Sequence, residues 1–107
     1  MNWYKKSNLE LKFENNHRDA YRGQNYYTLL ARDNNNVPIG GIDYSEFEDQ
    51  IYIDYIEVLK QYQRQGIGSK LYNKLVELWP NYKINWGMMT EEGYSLKESL
   101  KNKNELV

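Results

Sequence analysis

The spacing of apolar residues changes once along this chain, between Leu59 and Ile67, and that change limits the fold more than any other feature. Upstream, Leu9 to Glu14 alternate as Leu-Glu-Leu-Lys-Phe-Glu, the period of a strand with one buried face. Asn15 to Asn25, which holds His17, Asp19, Arg22 and Gly23, lacks sustained periodicity and reads as a loop. Tyr26 to Arg32 is aromatic and aliphatic and runs into Asp33-Asn34-Asn35-Asn36; Asn and Asp tolerate positive φ, so this cluster predicts a hairpin turn. The return strand, Val37 to Phe47, carries Gly40-Gly41, a mark of a bulge or of close backbone approach. Glu48-Asp49-Gln50 turns the chain again, and Ile51 to Leu59, dense in Ile, Tyr and Val, reads as the next strand.

Downstream the pattern is helical. Ile67, Leu71, Leu75 and Leu78 recur every three or four residues, with Tyr72, Val76 and Trp79 on the adjoining stripe. The spacing predicts an amphipathic helix from Gly66 to Trp79, stopped by Pro80, whose ring disfavours helical geometry in the residue before it. A short strand follows at Tyr82 to Trp86. Thr90, as N-cap, with Leu96 and Leu100 at helical spacing, predicts a C-terminal helix. The sum is an α+β chain with a mixed sheet: an antiparallel meander, then strand, turn, helix, strand and a last helix.

Composition bounds what such a chain does. Its 107 residues make one domain over 1–107, because two cores would leave each half too small to be stable. With 11 Tyr and 3 Trp, the core has to take in tyrosines whose polar edges stay satisfied. The formal charge of -1 argues against a nucleic-acid or anionic-membrane surface, which needs concentrated Lys and Arg. Cysteine is absent, which removes disulfides and thiol nucleophiles, and His17 is the sole histidine, which leaves no histidine-cysteine metal set. No apolar run approaches the roughly 20 residues of a membrane helix, and the first residues carry no apolar signal region; the expected location is the cytoplasm.

The chemistry concentrates where strand gives way to helix, at Val58-Leu59-Lys60-Gln61-Tyr62-Gln63-Arg64-Gln65-Gly66-Ile67-Gly68-Ser69-Lys70. The first turn of a helix offers free N–H groups and the positive end of the dipole, and glycine lets a phosphate reach them. Lys60, Arg64 and Lys70 add positive charge. Two phosphate-binding motifs fail on detail. The Walker loop requires Gly-Lys-Ser order after an earlier Gly, whereas Gly68 is followed by Ser69 and then Lys70. The dinucleotide fingerprint needs a small residue where Leu71 stands.

Gln63-Arg64-Gln65-Gly66-Ile67-Gly68 does match the Q/R-x-x-G-x-G/A signature of the GNAT acetyltransferase superfamily, with Val58 at the end of the preceding strand and Ser69-Lys70-Leu71 continuing the helix. The span from Tyr26 to Trp86 resembles the central core of that family. The resemblance implies acetyl-CoA as cosubstrate, its pyrophosphate on Gln63, Arg64, Gln65, Gly66, Ile67, Gly68 and Ser69. It implies a pantetheine arm along the backbone near Ile56, Glu57 and Val58, and a second wall from Lys83 to Trp86. Asn85 is either a cofactor contact or a local turn maker.

The implied reaction is attack of a primary amine on the thioester, which needs a base for the ammonium and an acid for the leaving thiolate. Candidates for the base are Glu57 and Asp54, each equally readable as a solvated strand carboxylate; Tyr94 is the candidate acid, equally readable as core. The acidic residues Asp43, Glu46, Glu48 and Asp49 favour a cationic acceptor, such as a protein lysine. Relative to the family, the helices between the first two strands are reduced to the loop Asn15 to Asn25, and a partner chain, as in a homodimer with Trp3, Tyr4 and Trp86 at its face, is one way to complete the acceptor site. The competing function is a catalytically idle module of the same fold, acting as an acetyl-CoA sensor or a protein-binding inhibitor, for which phage-encoded members give a precedent.

Overall fold

A computed structural model of the chain describes residues 10–86. Five strands form one sheet in the order β1-β2-β3-β4-β5, with a single helix, α1, crossing one face. The strands are β1 (Lys12–Tyr21), β2 (Gln24–Arg32), β3 (Pro38–Phe47), β4 (Gln50–Val58) and β5 (Lys83–Trp86), and α1 spans Ile67–Leu78. The first four run antiparallel to their neighbours, while β5 returns parallel to β4 after the crossover through α1. This is the α+β arrangement expected; the predicted C-terminal helix at Thr90 to Leu100 lies outside the described residues.

Turn chemistry sets the meander. Asp33 ties its own hairpin, its Oδ1 accepting the N–H groups of Asn35 and Val37 at 2.9 Å each while its N–H donates to the Val37 carbonyl at 2.9 Å. Glu48 and Asp49, with φ of 49° and 63°, turn β3 into β4, the pair of positive dihedrals that a two-residue hairpin requires.

One expectation is corrected. Asn15 to Asn25 is not a loop: β1 continues to Tyr21 and reverses through Arg22 and Gly23, at φ of 51° and 83°, into β2. The pattern hides this because β1 is an edge strand whose second half, Asn15-Asn16-His17-Arg18-Asp19, is polar toward both faces. A register shift between His17 and Asp19 also swaps the faces. Period-two alternation vanishes, yet the ladder to β2 still satisfies the backbone, and charges on an edge discourage unwanted pairing.

Tertiary order comes from the face that meets α1. Leu29, Ala31, Ile42, Tyr44, Ile51, Ile53 and Ile56 of the sheet close on Ile67, Leu71 and Leu75 of α1, all of them buried; each such aliphatic is worth roughly 1.5–3 kcal/mol when withdrawn from water. Tyrosine enters the core as composition demands. Tyr44 is fully buried, and its hydroxyl donates to Asn15 Oδ1 at 2.6 Å and accepts from Trp79 Nε1 at 2.9 Å. Tyr27 stacks on it at 5.2 Å. Trp86 stacks on Tyr72 of α1 at 5.6 Å, so its ring packs within the domain. Trp79 leaves the helix at φ -125°, next to Pro80. Among the described residues, no helix is long and apolar enough to cross a membrane, and no group of His, Asp and Glu is arranged to hold a metal ion.

Candidate active site

Two features of β4 prepare a cleft. The register of β3 against β4 shifts at Asp43/Tyr44, where Tyr44 faces Ile53 and Asp43 faces Tyr55, leaving Asp54 as the extra residue of a bulge. Bulges bend a strand and increase its twist. The parallel ladder to β5 covers Gln50 to Ile53, opposite Lys83 to Trp86, the last of the described residues. Among the described residues, Tyr55 to Val58 pair with β3 alone. Backbone groups of Ile56, Glu57 and Val58 on that side meet no strand partner among the described residues, and Asn85 ties β5 to β4: its Nδ2 donates to Gln50 Oε1 at 3.0 Å and to the Ile51 carbonyl at 3.2 Å. Asn85 is a cross-strand tie, not a turn residue.

At the open end of β4 stands the turn. Leu59 N–H still bonds the Ile39 carbonyl at 2.9 Å, a 3-10 turn follows at Lys60–Tyr62, and Arg64 and Gly66 take positive φ of 66° and 78°. Gln63 reaches back, its Nε2 donating to the last carbonyl of β4, Val58, at 3.0 Å, and Gln65 Nε2 donates to the Gln61 carbonyl at 3.2 Å. Both glutamine side chains thus pin the turn. Ile67, 1% exposed, anchors the helix start in the core, so the amides around it are fixed in direction.

What those amides face is decided by what is missing around them. The first intrahelical bond runs from Lys70 N–H to the Gly66 carbonyl at 3.0 Å, and among the described residues the N–H groups of Ile67, Gly68 and Ser69 meet no acceptor. No side chain caps the helix and no acid sits in its first turn. A Cβ built on Gly66 would touch nothing within 4 Å. Free N–H groups at a positive dipole end, bordered by the exposed cations Lys60, Arg64 and Lys70, have the chemistry that a phosphate group requires. The residues present therefore fit the pyrophosphate that the sequence signature implied.

The two base candidates differ in setting. Asp54 sits on the bulge of β4, next after Ile53, which pairs with Trp86. Although exposed by area, its carboxyl has a raised pKa, first through partial loss of solvent, with Arg18 opposing the shift and the like charge of Asp43 adding to it. Glu57 accepts a hydrogen bond from the Tyr55 hydroxyl at 2.8 Å. It lines an open groove of about 290 Å³ together with Thr28, Leu30, Gly41, Asp43, Tyr55 and Leu59. Asp43 accepts from Thr28 Oγ1 at 2.6 Å. The other acids are apart from this groove: Glu46 accepts from Asn25 Nδ2 at 3.0 Å, and Glu48 and Asp49 are at the opposite tip of the β3–β4 hairpin. Tyr94 lies outside the described residues. His17, bonded through Nε2 to Asn25 Oδ1 at 3.1 Å and edge-on to Tyr27, takes no part. Sequence reasoning found Asp43 only as one of a group of acids; its place beside Asp54 follows from strand register, which a linear pattern does not carry.

Comparison with known proteins agrees with this geometry. A family profile described as Acetyltransferase (GNAT) family matches residues 1–87. Among solved structures, a GNAT-family acetyltransferase protein of Streptococcus pneumoniae TIGR4 superposes with a TM-score of 0.55 at 26% identity, covering 70% of this chain and 58% of its own. A candidate acetyltransferase from Deinococcus radiodurans R1 shares the fold with a TM-score of 0.55 at 22% identity, covering 70% of this chain and 53% of its own. The chain thus matches little more than half the length of either. No curated protein matches its sequence. With the signature turn, the bulged fourth strand and the parallel fifth strand in place, the chain belongs to the GNAT family of acetyltransferases.

Proposed function

We propose that the protein transfers an acetyl group from acetyl-CoA to a primary amine. The observation that carries this reading is that three amides without acceptors among the described residues, Ile67 to Ser69, follow a half of β4 that pairs with β3 and with no described residue of β5. Acetyl-CoA supplies the activated acetyl group. Amides of Gly66 to Ser69 and the side chain of Arg64 hold its pyrophosphate, while Gln63 and Gln65 keep the turn in shape. The backbone of Ile56 to Val58 takes its pantetheine amides, and Asn85 ties β5 to β4.

Of the two carboxylates, Asp54 is the one we assign as general base. It is placed at the end of the cleft, and its raised pKa brings it closer to the range in which a carboxylate accepts a proton at neutral pH. Glu57, held by Tyr55, faces the acceptor groove. Tyr94 is kept as the proposed acid. The amine acceptor is cationic in water, and the negative charge of Asp43 and Glu57 near Asp54 favours the approach of a basic molecule.

Purified protein incubated with acetyl-CoA and a lysine-containing peptide should release free CoA and add one acetyl mass to the peptide. Acetyl-CoA binding with no transfer to any amine would leave the fold as an idle binder, and absence of binding would remove the cofactor site itself.

A further inference from the structure

The groove beside the bulge has a chemical character that the transfer reaction alone does not require. Its walls are apolar, from Leu30, Pro38, Leu59 and the ring of Tyr55, with Tyr55 41% and Leu59 37% exposed. Two carboxylates, Asp43 and Glu57, lie within it, and among the described residues no Lys, Arg or His lines it. Each carboxylate has one bond to a neighbouring hydroxyl, from Thr28 and Tyr55 respectively, which orients it and leaves further lone pairs for a ligand. Apolar walls with acids inside match an alkyl stem ending in an ammonium.

A clamp of two carboxylates keeps an ammonium charged, because nearby opposite charge favours the ionised form. The amine that reacts has to be neutral. The groove is therefore unsuited to the reacting nitrogen and suited to a second positive group on the same acceptor. Nor does it enclose its contents, as small-molecule sites do; it is an open trough on the sheet, which suits a side chain whose main chain passes outside.

Resting on the acetyltransferase reading, we propose that this groove is a specificity subsite for a basic side chain of a peptide acceptor, flanking the lysine that is modified at Asp54.

The test uses synthetic peptides with two lysines set one to four residues apart, each paired with the same peptide carrying norleucine in place of one lysine. In the wild-type protein, at least one two-lysine peptide should show a KM about fivefold below that of its norleucine partner, the scale of one or two partly exposed ion pairs. In Asp43→Asn that ratio should fall toward unity. Added without acetyl-CoA, the same peptide should shift the backbone amide signals of Leu30, Gly41 and Tyr55, whereas acetyl-CoA alone should shift those of Gly66 to Ser69. Equal KM values across every pair, or groove signals that stay still while acetyl-CoA moves the turn, would overturn the subsite and leave the cofactor site standing. Tighter binding of spermidine than of every peptide would overturn the peptide as occupant.

Discussion

The Cβ that Gly40 lacks would stand 3.0 Å from the carbonyl oxygen of Glu57, with Leu71 Cδ1 at 3.3 Å behind it. At that one point β3, the second half of β4 and α1 are packed so closely that a Cβ fits only if its neighbours give way by a few tenths of an ångström. Because Glu57 contributes a backbone atom, the contact cannot be relieved by a rotamer change. Gly40→Ala should therefore part β3 from β4 or lift α1, at a cost of about 1–3 kcal/mol, the usual penalty for overpacking. Thermal denaturation measures the loss, and isothermal titration with acetyl-CoA should show weaker binding as the cleft shifts. An unchanged melting temperature would contradict the close approach.

Gly66 is the opposite case, since nothing lies within 4 Å of its missing Cβ and only its φ of 78° calls for glycine. Gly66→Ala should cost roughly 1 kcal/mol through the left-handed backbone alone. Gly66→Asp, with a comparable effect on folding, places a negative charge at the amides meant for a pyrophosphate and should abolish acetyl-CoA binding. Native mass spectrometry for a CoA-sized adduct, read beside a melting curve, separates the two effects.

Asp54→Asn should lower kcat by about 10²–10⁴, the range for loss of a positioned base, while acetyl-CoA affinity stays within a factor of about two or three, about the size of a few tenths of a kcal/mol. Steady-state kinetics with a fixed peptide acceptor and titration calorimetry test the pair of outcomes. Loss of binding together with rate would place Asp54 in the cofactor site instead.

The pH profile carries a sign. The folded pKa of Asp54 is raised by partial burial, lowered by Arg18 and raised by Asp43, so the acid limb of kcat/KM should lie above that of an ordinary aspartate. Removing the like charge in Asp43→Asn should move that limb to lower pH, and Arg18→Ala should move it to higher pH. For stability the same shift means that the folded state is favoured by this group below the unfolded pKa, and that the benefit is lost as pH rises through the folded pKa. Asp54→Asn should thus unfold at a higher temperature than wild type near neutral pH.

Tyr44→Phe tests the buried network. The hydroxyl serves Asn15 and Trp79 at once, and its removal leaves both without that partner, for about 1–3 kcal/mol of destabilisation. Chemical denaturation gives the value. Tyr27→Phe should cost less, since Tyr27 packs on this network through its ring.

Much of the site was legible in the sequence because its parts are local. A Gly with positive φ at a helix start, the glutamines that pin the turn and the apolar stripe of α1 all act within a few residues of one another, so Gln63 to Ser69 could be read as a unit. Gly40-Gly41 likewise announced close backbone approach, though not that Glu57 and Leu71 on one side, and Leu29 and Leu30 on the other, were the neighbours. The second half of β1 was illegible for the converse reason: an edge strand polar toward both faces has no pattern, and only its ladder to β2 makes it a strand.

The sequence by itself determined the order of elements, the start of the helix and the turn that presents free amides, because hydrophobic period, glycine and proline act on the chain nearby. Tertiary structure alone decided that Asp54 falls on a bulge, that β5 runs parallel to β4 from Gln50 to Ile53, and that Asp43 and Glu57 share a groove. These are matters of register between strands. A shift of one residue moves every side chain to the other face of a sheet, and the packing of α1 against the whole sheet, not any single strand, selects which register holds.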